Sequence, residues 1–376
     1  MPRKIASNWL WTPEGFLRRP LVTLDDGGRI LDVRTCDTPD REPFTEFHAG
    51  LLTPGFVNAH CHLELSALRG RIPEGCGFAG FARAMGEVRG LADEEERRAA
   101  IAAADAEMTR GGIVAVGDIA NGEAAFDVKS AGRIAYRTFA EFFGLRTMAA
   151  DSLRPLLRHP RTSLTPHSVY SVQDAPFRAL CAEGTAPLSI HFMESPAEAE
   201  LFAGRGPLHE WYARAGFACD FLHYGSPAER LVRSIPAERP LILVHACCVG
   251  EEEVRRILAH FTAPVYWCLC PRSNRYISRL APPVALLRSL GARICLGTDS
   301  LASNRSLSLL DELRALGGVP LRESLRWATL GGAEALGLDD ALGTVAPGKR
   351  PGLNLLTGLD FERMALTPDT RVKPLL

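Results

Sequence analysis

Eight short apolar or β-branched runs recur along this 376-residue sequence, with helical patterns filling the spaces between them. The runs cover residues 51–59, 113–118, 134–139, 163–165, 188–192, 241–245, 263–269 and 293–297. Between them lie stretches such as GLADEEERRAAIAAADAEMTRG, which starts acidic and meets a glycine after Arg110, and EEEVRRILAHF and PLRESLRWATLGGAEALG. Strands that alternate with helices at this spacing pair in parallel, because the crossover needs the length of a helix. Eight such units predict an α/β fold, a (β/α)8 TIM-type barrel over residues 51–342.

The two ends break this rhythm. Residues 1–50 contain LVTLDDGGRILDVRT, two strand-like pieces around a turn. The tail LGTVAPGKRPGLNLLTG is again turn-rich and extended. Two readings are open: frayed flanks, or a small β-sandwich domain built jointly from residues 1–50 and 343–376.

Charge removes several function classes. Lys and Arg total 43 against 44 Asp and Glu, a net charge of −1. Such a chain offers no bulk attraction for nucleic acid or an anionic membrane. No apolar run approaches the roughly 18 residues of a membrane span, and no apolar segment precedes Pro13 as in a signal peptide. A cytoplasmic protein is expected. The ten cysteines are scattered, with a vicinal pair (Cys247, Cys248) and a C-x-C (Cys268, Cys270), and read as small core hydrophobes of a reducing compartment.

Chemistry concentrates where the runs end. In GFVNAHCHLELS, His60 and His62 are one residue apart on an extended segment, so both imidazoles point to one side. LSIHFMES supplies His191 and, three residues on, Glu194. LILVHACC ends its apolar run at His245, and RICLGTDS places Asp299 after the eighth run. Each alone reads as a structural polar group as readily as a ligand. Together they occupy the C-terminal ends of barrel strands, the face that carries chemistry in this architecture. Such a set points to a hydrolytic metal site.

The words LLTPGFVNAHCHLE, LTPHSVYS, HFMES, VHACC, CPRSN and LGTDSLASN, in that order over residues 51–304, resemble the amidohydrolase superfamily. Within it they are similar to the cytosine deaminase and chlorohydrolase branch, and GTVAPGKRPGLNLL resembles the closing sandwich strand of that branch. The resemblance therefore favours the two-ended sandwich. It implies His60, His62, His191 and Asp299 as ligands of one divalent ion, Zn by default and Fe(II) second. It implies Glu194 as the proton-transfer group, His245 as the residue that steadies the attacking hydroxide, and a catalytic role for Asp299 as proton acceptor. Binuclear members use a carboxylated lysine from the fourth strand, and no Lys lies between 129 and 349 here, which argues for a single ion.

The resemblance also implies a substrate. HCHLELSALRG most resembles the aminodeoxyfutalosine deaminases of the futalosine route to menaquinone, whose substrate is an adenine nucleoside bearing an aryl carboxylate. Loops carrying Ser66, Arg137, His167, Arg272 and Arg275 are then expected to form the substrate mouth, with at least one of the three arginines on the carboxylate. Other readings are a deaminase of adenosylhomocysteine, methylthioadenosine or guanine, a triazine-type hydrolase of the same branch, and a non-enzymatic assembly protein of the superfamily. The expected partner is a small purine nucleoside, and a homodimer is the working expectation for assembly.

Overall fold

The computed structural model describes residues 2–38, 42–145 and 150–376. All eight expected runs form strands. They are β6 (Phe56–Cys61), β7 (Ile113–Ala120), β8 (Ala135–Phe142), β9 (Thr162–Pro166), β10 (Leu188–Phe192), β11 (Leu241–His245), β12 (Val265–Leu269) and β13 (Arg293–Leu296). They pair in parallel as two four-stranded runs, β6 to β9 and β10 to β13. Two bridges join the runs into a closed barrel, Ser168 to His191 and Cys61 to Asp299. Every residue of β10, β11 and β12 is buried, as strands covered on both faces require. Val57, Ala59, Ile119, Phe139, Val244 and Cys268 belong to the packed cluster of the barrel's centre.

The first expected run is divided between two sheets. Leu51 to Thr53 end β5 (Thr45–Thr53), and β6 begins only at Phe56. Pro54 has no N–H to continue a ladder. At Gly55 a Cβ would stand 2.2 Å from Val114 Cγ1 and 2.8 Å from the Pro351 carbonyl oxygen, so only glycine fits the crossing.

Both ends of the chain enter one seven-stranded network. It contains β1 (Arg3–Thr12), β2 (Gly15–Arg18), β3 (Pro20–Leu24), β4 (Ile30–Thr35) and β5, together with β14 (Asn354–Thr357) and β15 (Arg371–Pro374). The strand order is β15-β14-β5-β1-β3-β4, with β2 on β1. β1 branches: Arg3 to Ala6 pair with β3, and Trp9 to Thr12 with β2. This unit has its own apolar cluster, which includes Ile5, Leu10, Val22, Leu52 and Leu355.

Helices lie where their end signals place them. Glu94–Arg110 is capped by Asp93, whose side chain accepts the Glu96 N–H, and its acidic first turn suits the positive end of the helix dipole. Two further segments matter for function and were not singled out from sequence. The helix Gly77–Val88 follows the H-x-H loop, and the pair Pro196–Phe202 and Gly206–Ala215 follows Glu194. Among the described residues no helix is long and apolar enough to cross a membrane. All ten cysteines are free thiols.

Candidate active site

Barrel closure builds the site. The Thr298 and Asp299 N–H groups both donate to the His60 carbonyl, at 3.0 and 3.1 Å, and His191 N–H donates to the His167 carbonyl at 2.9 Å. The backbone bonds that seal the barrel thus also fix four site residues. Met193, His245, Ala246 and Asp299 adopt positive φ (47°, 77°, 52° and 57°). For non-glycine residues this conformation is costly and gathers at functional sites.

His60, His62, His191 and Asp299 converge. His62 Nε2 lies 3.2 Å from both His60 Nε2 and His191 Nε2. Asp299 Oδ1 lies 3.5 Å from His62 Nε2 and 3.7 Å from His60 Nε2. A tetrahedron with ligand bonds of ~2.0–2.1 Å has edges of about 3.3–3.4 Å, so the spacing fits one small divalent ion. The protonation state fits as well. Burial and then neighbouring imidazoles push His62 and His191 well below the usual range, which keeps them neutral as ligands must be. His191 Nδ1 lies 3.1 Å from the His167 carbonyl, which leaves Nε2 free to ligate.

Burial would raise the Asp299 carboxyl, but the His60 contact and the adjacent imidazoles outweigh it and hold the group well below its usual value. Its Oδ2 accepts from Ser273 Oγ at 2.6 Å and Ser303 Oγ at 2.7 Å, so Oδ1 is aimed at the histidines. Those two serines lie inside CPRSN and LGTDSLASN. Their hydroxyls orient the Asp299 carboxylate, a contact that the sequence words did not disclose.

Glu194 and His245 face each other beside this cluster. Glu194 Oε2 is 3.8 Å from His245 Nε2. Burial, then the neighbouring Asp299 and Glu198 carboxyls, raise the Glu194 carboxyl well above the ordinary range, which favours its protonated form. Asn274 Nδ2 lies 2.9 Å from His245 Nδ1; with that amide donating, His245 keeps its proton on Nε2, toward Glu194. Burial depresses His245 to about 4. Glu198 clasps the turn below Glu194. Its Oε1 accepts the Glu194 N–H at 2.7 Å and its Oε2 the Met193 N–H at 2.8 Å.

A cavity of about 470 Å³ opens over these groups. Its walls are largely aromatic and aliphatic: Phe78, Phe81 and Met85 from one helix, Trp211 and Tyr212 from another, and Phe143 and Tyr170 from loops. Of the expected substrate residues only His167 lines it. His167 stacks on His191 at 4.4 Å between ring centroids, and its Nδ1 lies 2.8 Å from Ser171 Oγ.

The other four expected substrate residues point elsewhere. Ser66 donates to the Leu63 carbonyl at 2.7 Å and closes its own turn. Arg137 sits near the start of β8, the end away from the mouth, where Nε donates to the Leu336 carbonyl. Arg272 is held by Ser306 Oγ at 2.6 Å and lies 3.5 Å from Asp311. Arg275 is exposed and reaches the Ala315 carbonyl at 3.4 Å. None of these four lines the cavity. Among the described residues the arginine that does is Arg89, just after the helix Gly77–Val88. Asn121 and Glu141 line it too. Glu141 is pushed up to about 7 by burial, against the Asn121 hydrogen bond.

The Amidohydrolase family profile matches residues 51–373. A 5-methylthioadenosine/S-adenosylhomocysteine deaminase of Teredinibacter turnerae is 30% identical over 85% of this chain and 73% of its own length. An adenosine deaminase of Helicobacter pylori is 29% identical, covering 88% of this chain and 87% of that protein. The crystal structure of Helicobacter pylori aminofutalosine deaminase with methylthio-coformycin superposes with a TM-score of 0.81 at 24% identity, over 94% of this chain and 92% of that one. With the profile spanning the barrel and β14, and a relative at 30% identity over most of both chains, the protein belongs to the Amidohydrolase family of metal-dependent hydrolases.

Proposed function

We propose that the protein is a hydrolytic deaminase of a 6-aminopurine nucleoside, and that its preferred substrate is aminodeoxyfutalosine, the carboxylated nucleoside of the futalosine route to menaquinone. The observation that carries this reading is the shape of one cavity. Glu194, His245 and the ligand cluster form its floor, aromatic side chains form its walls, and Arg89 lies at its edge. A free base uses the floor alone. A nucleoside with an aryl tail fills the aromatic walls, and its carboxylate meets a guanidinium. The kinship with nucleoside deaminases supports the same class.

His60, His62, His191 and Asp299 would hold one divalent ion, and three imidazoles with one carboxylate favour zinc, with Fe(II) second. When bound, such an ion lowers the pKa of a water toward neutrality. Asp299, steadied by Ser273 and Ser303, is placed to accept a proton at Oδ1. Glu194 donates its proton to the ring nitrogen beside the amino-bearing carbon, which makes that carbon electrophilic. Glu194, now ionised, takes the proton of the added oxygen and passes it to the amine, which leaves as ammonia, and the proton held by Asp299 returns to Glu194. His245, with its proton on Nε2, orients the nucleophile from the opposite side.

The test is ammonia release from aminodeoxyfutalosine, adenosine, methylthioadenosine, adenosylhomocysteine and guanine, by the wild type and by Arg89→Leu. A charge-assisted pair is worth roughly 1.5–3 kcal/mol. Arg89→Leu is therefore expected to lose about ten- to a hundredfold in kcat/KM on the carboxylated nucleoside and little on adenosine. Equal turnover of adenosine and the carboxylated nucleoside by the wild type would sink the substrate and leave the deaminase standing.

A further inference from the structure

Arg230 lies in the helix Pro227–Ser234, does not line the cavity, and has no surface in contact with solvent. Its guanidinium is slotted between two aromatic rings, 4.4 Å from the centroid of Phe177 and 4.3 Å from that of Phe221. Burial lowers its pKa to about 10, so it stays charged at neutral pH. The Asp174 carboxylate stands 4.0 Å off. A buried cation that far from its counter-charge is costly unless hydrogen bonds hold it. Nη1 donates to the Val169 carbonyl at 2.6 Å and Nη2 to the Val172 carbonyl at 2.8 Å.

Those two carbonyls bracket the turn VYSV, residues 169–172, which follows β9. Val169 and Val172 are fully buried, whereas Tyr170 and Ser171 line the cavity. One guanidinium thus grips the turn at both ends while the two middle side chains face the ligand space. The turn in its own right holds His167. Tyr170 N–H donates to Ser168 Oγ at 3.3 Å, Ser168 Oγ donates to Ser171 Oγ at 2.7 Å, and Ser171 Oγ lies 2.8 Å from His167 Nδ1. A relay in this direction leaves the His167 proton on Nε2.

Resting on the reading of this cavity as a nucleoside site, we infer that Arg230 is a positioning residue for substrate binding: it sets the VYSV turn and, through Ser171, the orientation of the His167 ring, without touching the substrate. The work needs a guanidinium. Its plane fits between two rings, and it presents two donors side by side. A lysine ammonium keeps the charge but has no plane and acts as a point. Glu194 is held through Glu198, and Asp299 through Ser273 and Ser303, so neither the proton-transfer group nor the carboxylate ligand hangs on this turn. Loss of the grip therefore falls on binding.

The experiment compares the metal-loaded wild type with Arg230→Lys and Ser171→Ala on adenosine and aminodeoxyfutalosine. Metal content and amide hydrogen exchange over residues 167–173 are measured on the same samples. Arg230→Lys is expected to speed exchange across that segment. Both variants are expected to raise KM about three- to tenfold, the range of one lost hydrogen bond, with kcat within about twofold and metal content unchanged. Ser171→Ala leaves the buried slot intact, so it tests the same link to His167 should Arg230→Lys fail to fold. Unchanged KM in Ser171→Ala overturns the assignment. Unchanged exchange in Arg230→Lys does so too, as does a fall in kcat or metal content that outweighs the rise in KM, which would make Arg230 a general prop of the fold. If the wild type deaminates no nucleoside, the substrate reading falls by itself, and the exchange measurement alone decides whether Arg230 sets the turn.

Discussion

Glu194 and Glu141 are two buried carboxyls at one cavity, and their surroundings treat them differently. Glu194 has acidic neighbours, Asp299 and Glu198, which add to burial and raise its carboxyl well above the ordinary range. Glu141 has an amide on one oxygen and a buried, unpartnered second oxygen. We expect Glu194→Gln to retain its metal, because the side chain is not one of the four proposed ligands, and to lose roughly 10²–10⁴-fold in turnover. Near-normal ammonia release with full metal content would remove Glu194 from the mechanism. At this scale the convergence of the six residues proposed for chemistry was legible because each lies at or just past a strand end, and strand ends survive in a one-dimensional reading. The arginines were not. Arg137, Arg272 and Arg275 lie near strands in sequence, but the direction of a long side chain depends on partners such as Leu336, Ser306 and Ala315 that only folding supplies. Arg89 follows a helix with three glycines and lies away from every strand end, where the sequence reading looked for chemistry.

The elements hold these residues through close backbone approach. β13 returns beside β6 at Gly297, where an added Cβ would lie 2.8 Å from His60 Cβ, 2.9 Å from Cys268 Sγ and 2.9 Å from the His60 carbonyl oxygen. Two of the three neighbours belong to His60, a proposed ligand on a sealed strand, so they have little freedom to retreat. Gly297→Ala should therefore displace His60. We expect a stability loss of about 1–3 kcal/mol, as for overpacked cores, and incomplete metal loading at stoichiometric metal. Thermal denaturation with metal analysis of the purified variant checks this; an unchanged midpoint with one ion per chain would contradict it. Short apolar runs and clear end signals were readable, which is why the helix Glu94–Arg110 and the barrel strands lie close to where they were expected, the first of them beginning only at Phe56. The break between β5 and β6 was hidden because both sides of Pro54 are apolar. Only the barrel's need to turn a corner there, against Val114 and Pro351, separates them.

At the scale of the whole molecule, the two-ended sheet is tied to the barrel by buried backbone bonds. The Gly112 carbonyl, just before β7, accepts from both Phe56 N–H and Asn354 Nδ2 at 2.8 Å. Turn-rich ends announced extended structure, but the pairing of residues 51–53 with 354–356 is non-local and no local pattern encodes it. The loops of the site are tied in turn by Glu312. Its Oε1 accepts from Asn304 Nδ2 at 2.8 Å and its Oε2 from Arg272 N–H at 3.0 Å, joining the segments that carry Ser303 and Ser273.

Burial raises Glu312 to about 8, against those two hydrogen bonds and the charge of Arg272, with Asp311 adding to the rise. Burial likewise raises Glu198 to about 8, against the N–H groups of Glu194, Met193 and Ser195. The folded state thus holds protons on both carboxyls that the unfolded chain releases near its ordinary value of 4.5. Their stabilising contribution is complete below that value and is lost as pH rises through the folded value. Above about pH 6.5 an ordinary imidazole is mostly neutral, so between pH 6.5 and 8 the carboxyls govern the slope. Each group then removes up to about 1.4 kcal/mol per pH unit. The wild-type unfolding midpoint should fall across that range. Glu312→Gln, uncharged at every pH, should start lower for its imperfect hydrogen bonds and fall less steeply. Parallel slopes for variant and wild type, measured by thermal denaturation at fixed ionic strength and metal loading, would show that Glu312 is already ionised in the folded protein.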